Sequence, residues 1–143
     1  MCFDQNHTRY LRQQDKYSCS AVALLNLDKW RGLKVTKKNL PQYIKLCQAK
    51  PFVGTFQKQF DKVVGRRGRR LTYKQFKQHP GATLFETFYP DGHAHDYLVL
   101  GWATDGKHFG WLGVNFGGHT YCLIHASHVR WLLKHSRVWQ CHR

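Results

Sequence analysis

The chain is poor in acid. Only 8 of its 143 residues are Asp or Glu, against 23 Lys and Arg, which leaves a formal charge of +15 with the histidines neutral. Such a surface attracts polyanions, nucleic acid and anionic cell-wall polymers among them, and says nothing about fold. Long apolar runs are also missing. No stretch approaches the ~20 residues that cross a bilayer, so a membrane-spanning helix is excluded. The opening segment MCFDQNHTRYLRQQDKYSCS holds no apolar block of signal-peptide type, so Sec-type export is not expected. No C-x-x-C pair occurs among the five cysteines, Cys2, Cys19, Cys47, Cys122 and Cys141. An odd, widely spaced set without a signal segment points to reduced thiols, and so to a reducing cytoplasm or a particle-associated location. There is no internal repeat and no linker, and residues 1–143 read as one domain. With 42% hydrophobic and 15% aromatic residues, that domain has the material for a core.

The tightest basic cluster is Arg66-Arg67-Gly68-Arg69-Arg70, flanked by Lys58, Lys62, Lys74 and Lys77. As a solvated loop it keeps the protein soluble; as a site, Arg66, Arg67, Arg69 and Arg70 would bind a polyanion. Tyr73 and Phe76, the nearby aromatics, have the look of core residues rather than stacking platforms. His119, Cys122, His125 and His128 fall close enough together to raise the question of zinc. In a strand, His119 and Cys122 would point to opposite faces, and structural zinc sites bring two close ligand pairs together. No metal site is expected.

Apolar periodicity predicts helices in the first half. Residues 18–31 form one, with Ser18 or a neighbour as cap, Ala21 to Leu25 apolar all round, and Gly32 as the stop; it should be the central helix. Thr36 caps a second through Cys47, with Pro41 early. Thr55 caps a third ending at Gly65, and a short fourth runs from Tyr73 to about Gln78. After Gly81 the pattern turns to strands: 82–88, 97–102, 109–115 and 119–125, followed by a closing helix over 127–135. Helices first and a mostly antiparallel sheet afterwards make an α+β fold.

Cys19 sits at the start of the central helix, where the helix dipole and unpaired N–H groups favour thiolate. Gln13, six residues earlier, is positioned for its side-chain amide to join the Cys19 N–H as an oxyanion hole. His95 opens the strand His95-Asp96-Tyr97-Leu98-Val99-Leu100-Gly101-Trp102, a rigid seat for an imidazole base. Asn115, in Val114-Asn115-Phe116-Gly117-Gly118, can accept a hydrogen bond from that imidazole and orient it. His93 is the alternative base, and Asp96 and Asp105 are rival orienters.

Gln13-x5-Cys19, His95 at the head of an apolar strand ending in Gly-aromatic, and Asn115 before a glycine turn together resemble the papain-like cysteine peptidases. The compact size and the Pro80-Gly81-strand-His95 layout are most similar to the bacteriocin-processing branch. The resemblance covers roughly residues 10–120 in layout and three short segments in motif. It implies a papain-like fold, with the nucleophile helix packed on a mostly antiparallel sheet. It implies Cys19 as nucleophile, His95 as general base and acid, Asn115 as orienter and Gln13 as oxyanion donor, acting on a peptide or protein substrate without a cofactor. Two departures stand out: the cysteine sits in Tyr17-Ser18-Cys19-Ser20, where those peptidases often have Gly or another small residue beside it within characteristic flanking sequences, and that branch usually has Asp where Asn115 stands. Two other functions fit the same residues. One is a papain-like fold without catalysis, serving as a basic binding or assembly protein of a larger particle. The other is a Cys-His-Asn cell-wall amidase or endopeptidase.

Overall fold

A helix made from Ala21-Val22-Ala23-Leu24-Leu25 has no polar side to offer water, so it has to be covered all round. In the computed structural model, which describes residues 10–76 and 81–143, helix α1 spans Cys19–Trp30 and every residue from Ser20 to Asp28 is buried. Ser18 holds the N-cap position without a side-chain cap bond. The turn leading into α1 is fixed instead by Asp15, whose Oδ1 accepts the N–H groups of Tyr17 and Ser18 at 2.9 and 2.8 Å. Thr36 does cap, in a reciprocal box with Asn39, but the turn it opens is a 3-10 turn, Lys37–Asn39. Helix α2, Leu40–Cys47, follows with Pro41 in its first turn. Helix α3, Gln57–Val64, starts one residue later than a Thr55 cap would require, with Phe56 at the cap position. The Thr55 hydroxyl is engaged by Ser20 Oγ at 2.6 Å, tying the loop before α3 to α1.

Six strands form one sheet: β1 Gly68–Leu71, β2 Thr83–Phe88, β3 Ala94–Thr104, β4 Phe109–Phe116, β5 His119–Ile124 and β6 Ser136–Cys141. Their order is β1-β6-β2-β3-β4-β5, every neighbouring pair antiparallel. Helix α4, Ala126–Lys134, links β5 to β6. The chain is α+β, as the sequence predicts. Strands β1 and β6 are additions to that expectation, and the segment from Tyr73 shows a turn over 73–75 where a helix is expected. Cys2, Lys77, Gln78 and the His79-Pro80 pair lie outside the described residues.

The sheet is covered on both faces, and side-chain alternation sorts its residues between them. Leu84, Leu98, Val114 and Trp139 pack with Leu24, Phe60 and Val64 on the α1–α3 side. Phe85, Tyr97, Val99, Phe116 and Val138 pack with Val129 and Leu132 of α4 on the other. The register slips between Val99 and Trp102, where Gly101 takes φ +123°, a conformation that side chains avoid. On β3, Asp96 and Leu98 therefore face α1, while His95 and Tyr97 face away.

Candidate active site

Cys19 is the first residue of α1, and its thiol donates to Asp96 Oδ2 across to β3 at 3.6 Å. Burial, reinforced by the Asp96 carboxyl, pushes that thiol well above its ordinary value. The sequence leads one to expect a thiolate here. A helix N-terminus contributes only about 1 kcal/mol toward that charge, whereas burial shifts buried groups by several pH units, so the protonated form wins. Iodoacetamide at pH 7 should accordingly modify half-buried Cys122 before Cys19, with buried Cys47 and Cys141 last. Peptide mapping by mass spectrometry checks the order; Cys19 labelled first would mean an ionised sulfur.

Strand alternation separates Cys19 from His95. The His95 ring stacks on Tyr97 at 5.5 Å, on the face opposite α1. Its Nε2–H donates to the Asn115 backbone carbonyl at 2.6 Å rather than to the Asn115 side chain. Burial lowers His95 below its ordinary value, although that hydrogen bond works in the other direction. The Asn115 amide is turned toward Gln13: its Oδ1 accepts the Gln13 N–H at 3.0 Å and its Nδ2 donates to Gln13 Oε1 at 2.9 Å. Asn115 adopts φ +60°, which Asn tolerates better than most residues, and this swings the amide out of strand alternation. Gln13 Nε2 donates to the Asp15 carbonyl at 2.8 Å, so its amide is occupied at both ends rather than aimed at Cys19. Gln13, His95 and Asn115 thus line one cleft with Arg12 and Gly118. Cys19 lines another.

That second cleft, about 530 Å³, is walled by Lys16, Tyr17 and Cys19, the loop 51–55, Glu86, His93 and Asp96. His93 is not in a strand. The turn before β3 holds it, with the Tyr89 N–H donating to the His93 carbonyl at 2.8 Å, and places it on the rim of the cleft that Cys19 lines, its ring largely exposed. Extended-chain alternation, which would keep His93 and His95 on one side, does not apply across that turn. His93 Nδ1–H donates to Asp91 Oδ2 at 2.9 Å, and its backbone N–H to Asp91 Oδ1 at 2.9 Å. A carboxylate can only accept from Nδ1–H, so Nε2 is the ring nitrogen that remains to act as a base. Asp105 is remote from this arrangement, bonded to His108 in the β3–β4 turn.

Three strands put a row of charge beneath the cleft. Asp96 on β3 pairs in register with Glu86 on β2, and Glu86 with Arg137 on β6. Arg137 Nε donates to Glu86 Oε1 at 2.7 Å, and its Nη1 meets Asp61 of α3 at 2.6 Å. One guanidinium cannot hold two adjacent buried carboxyls charged. Burial and the neighbouring Glu86 carboxylate push Asp96 well above its ordinary value, so it keeps its proton. The sign of the linkage follows. A carboxyl raised in the folded state contributes fully below the unfolded value near 3.8, and its contribution falls as pH rises through the folded value. Urea titrations from pH 4 upward should show a slope of up to roughly 1.4 kcal/mol per pH unit from this one proton. Asp96→Asn should flatten it and raise stability at neutral pH; an unchanged slope would mean that Asp96 is ionised. No single segment reveals this row, because its members are brought together only by the pairing of β2 with β3 and β6.

The four arginines divide. Arg67 turns inward, its Nε and Nη2 donating to the two oxygens of Asp28 at 3.0 and 3.1 Å. Arg70 lies over the Trp139 ring at 5.3 Å, and Arg69 Nε donates to Gln140. Arg66 makes no such bond among the described residues. At the histidine-rich stretch, His119 is exposed, His125 caps α4 by accepting the Ser127 N–H, and His128 packs edge-on against Phe116. Among the described residues no three His, Cys, Asp or Glu side chains converge as metal ligands. No described helix is long and apolar enough to cross a membrane. No family model matches the sequence, and no curated protein matches it.

Proposed function

We propose that the protein is a thiol hydrolase of papain-like fold that cleaves a peptide amide bond, with Cys19 as nucleophile and His93, rather than His95, as base. One observation carries the reading: Cys19, at the N-terminus of the buried helix, and His93, its Nδ1 held by Asp91, line the same cleft. Acyl transfer to a thiol needs a nucleophile, a base and an orienting group around one cleft, and these three side chains are of the types required. His93 Nε2 takes the Sγ proton as sulfur bonds to the substrate carbonyl carbon. The carbonyl electron pair moves to oxygen, toward the N-terminal end of α1, whose first N–H groups have no partner within the helix. His93 returns the proton to the amine nitrogen as the C–N bond breaks. Water then adds to the thioester carbonyl, giving a proton to His93, and Cys19 recovers that proton as the S–C bond breaks. Because the resting thiol is protonated, activation belongs to the bound complex rather than to a standing ion pair.

A peptidyl fluoromethyl ketone tests this. The reading expects one adduct, on Cys19, formed much more slowly by His93→Ala than by the unaltered protein. An adduct on Cys122, or an unchanged rate in His93→Ala, would count against it. A second reading is a papain-like fold without catalysis, used for binding or assembly. It is favoured by the separation of Gln13, His95 and Asn115 from Cys19, and it expects Cys19→Ala to leave function intact.

A further inference from the structure

A second concavity lies at the other end of α1, about 18 Å along the helix from Cys19. It measures about 390 Å³ and is walled by Arg31 at the C-terminal cap of α1, Leu46 of α2, Gln59, Lys62 and Val63 of α3, and Arg66 and Arg67 beyond it. Every charged group on that wall is positive. Asp28, a buried acid, is bonded to two of its arginines, Arg31 and Arg67, and to Tyr43. One carboxylate against two guanidiniums leaves a net positive charge. Lys62 and Arg66 add two more, neither paired with a carboxylate among the described residues. The basic surface continues past the cleft. Arg31 Nε donates to the His142 carbonyl at 3.1 Å, which draws the C-terminal residues alongside, and Arg143 stacks over Trp30 at 4.5 Å. Arg69 follows on β1, the edge strand of the sheet.

We infer that this cleft and its basic rim bind the phosphodiester backbone of a nucleic acid, independently of any chemistry at Cys19. A row of cations around a concavity matches a ligand with charge repeated along its length, and the +15 charge of the whole chain favours the encounter. No aromatic side chain lies free on the wall to stack bases, so the recognition is of backbone and not of sequence. Lys62 and Arg66 supply the free charge; Arg31 and Arg67 are fixed as the floor by Asp28.

Fluorescence anisotropy with a labelled 20-base-pair DNA duplex tests it, with a salt series for each variant. Lys62→Gln combined with Arg66→Gln should weaken binding by about tenfold at low salt and make the log–log salt slope shallower by about 2. The control pair Lys107→Gln and Lys134→Gln, in the β3–β4 turn and at the end of α4, should change affinity less than about twofold. Equal losses in the two pairs would overturn the site in favour of diffuse charge, as would no binding at low salt. Heparin bound as tightly as DNA, with the same loss in the cleft variant, would overturn the assignment to nucleic acid. Since no residue near Cys19 is altered, failure here leaves the hydrolase reading standing, and the converse.

Discussion

Cys19→Ala should abolish peptide hydrolysis, lowering kcat/KM by at least about 10⁴-fold, with a thermal transition close to that of the unaltered protein. The size of the loss follows from the role: a nucleophile cannot be replaced by a methyl group, and its companions act with it as a unit. The stability expectation follows from position. Cys19 is partly exposed at the cleft, and its one recorded side-chain hydrogen bond is the 3.6 Å contact to Asp96. The histidines then separate the alternatives. His93→Ala should lose about 10²–10⁴-fold, the usual contribution of a positioned base. Asp91→Asn, which alters the tautomer control of His93, should fall between that variant and the unaltered protein. His95→Ala should retain most activity, because its ring donates to a backbone carbonyl on the other side of β3. Steady-state kinetics on an unstructured peptide reads all four. If His95→Ala is the inactive variant and His93→Ala the active one, the base is His95, as the resemblance to the papain-like peptidases implies, and His93 has no part in the chemistry.

Asp28→Ala should be the most damaging single change to stability, costing about 3–5 kcal/mol and lowering Tm by roughly 10 °C. Asp28 is a carboxylate on the buried face of α1, its side chain 3% exposed. It accepts from Tyr43 Oη at 2.6 Å, from Arg31 at 2.8 Å and from two Arg67 nitrogens. Through these contacts α1, α2 and the segment entering β1 share one anchor. Removing it strands a largely buried guanidinium and a buried phenol. Burial by itself would raise the Asp28 carboxyl, but the hydrogen bonds from Arg67 and Tyr43 and the guanidinium charge outweigh it and hold the group below 3.8. A lowered carboxyl contributes fully above the unfolded value and loses its contribution as pH falls through the folded one. Asp28 therefore weakens the fold in acid, whereas Asp96 weakens it as pH rises. Differential scanning calorimetry of Asp28→Ala and of the milder Tyr43→Phe checks the order; a Tyr43→Phe loss as large as that of Asp28→Ala would mean that the phenol, not the carboxylate, is the anchor.

The elements with strong periodicity were legible from residues alone. The all-apolar run 21–25 and Gly32 define α1, and the turn residues after Phe88 and Thr104 delimit β2, β3 and β4. Strand β1 was not legible, because Gly-Arg-Arg-Leu is four residues, half of them charged, and becomes a strand only through pairing with β6. The site was half legible. Cys19 at a helix start and a histidine near the head of β3 both follow from local pattern. Which histidine lies on the Cys19 side depends on where the strand begins, since one residue of phase sends a side chain to the opposite face. Here β3 begins at Ala94, so His95 is committed by alternation and His93 is free to be set by its turn. The protonated state of Cys19 was hidden for a different reason. It depends first on burial and then on Asp96, which meets Cys19 only through the packing of β3 against α1.

The most direct measurement is the crystal structure of the protein with a peptidyl fluoromethyl ketone bonded to Cys19, read for the separation between the new thioether sulfur and each imidazole. The account expects His93 Nε2 within about 4 Å of that sulfur or of the adduct oxygen, with Asp91 still bonded to Nδ1 and His95 still on the Asn115 carbonyl. An adduct with His95 rotated onto the sulfur, or with no imidazole beside it, would contradict it.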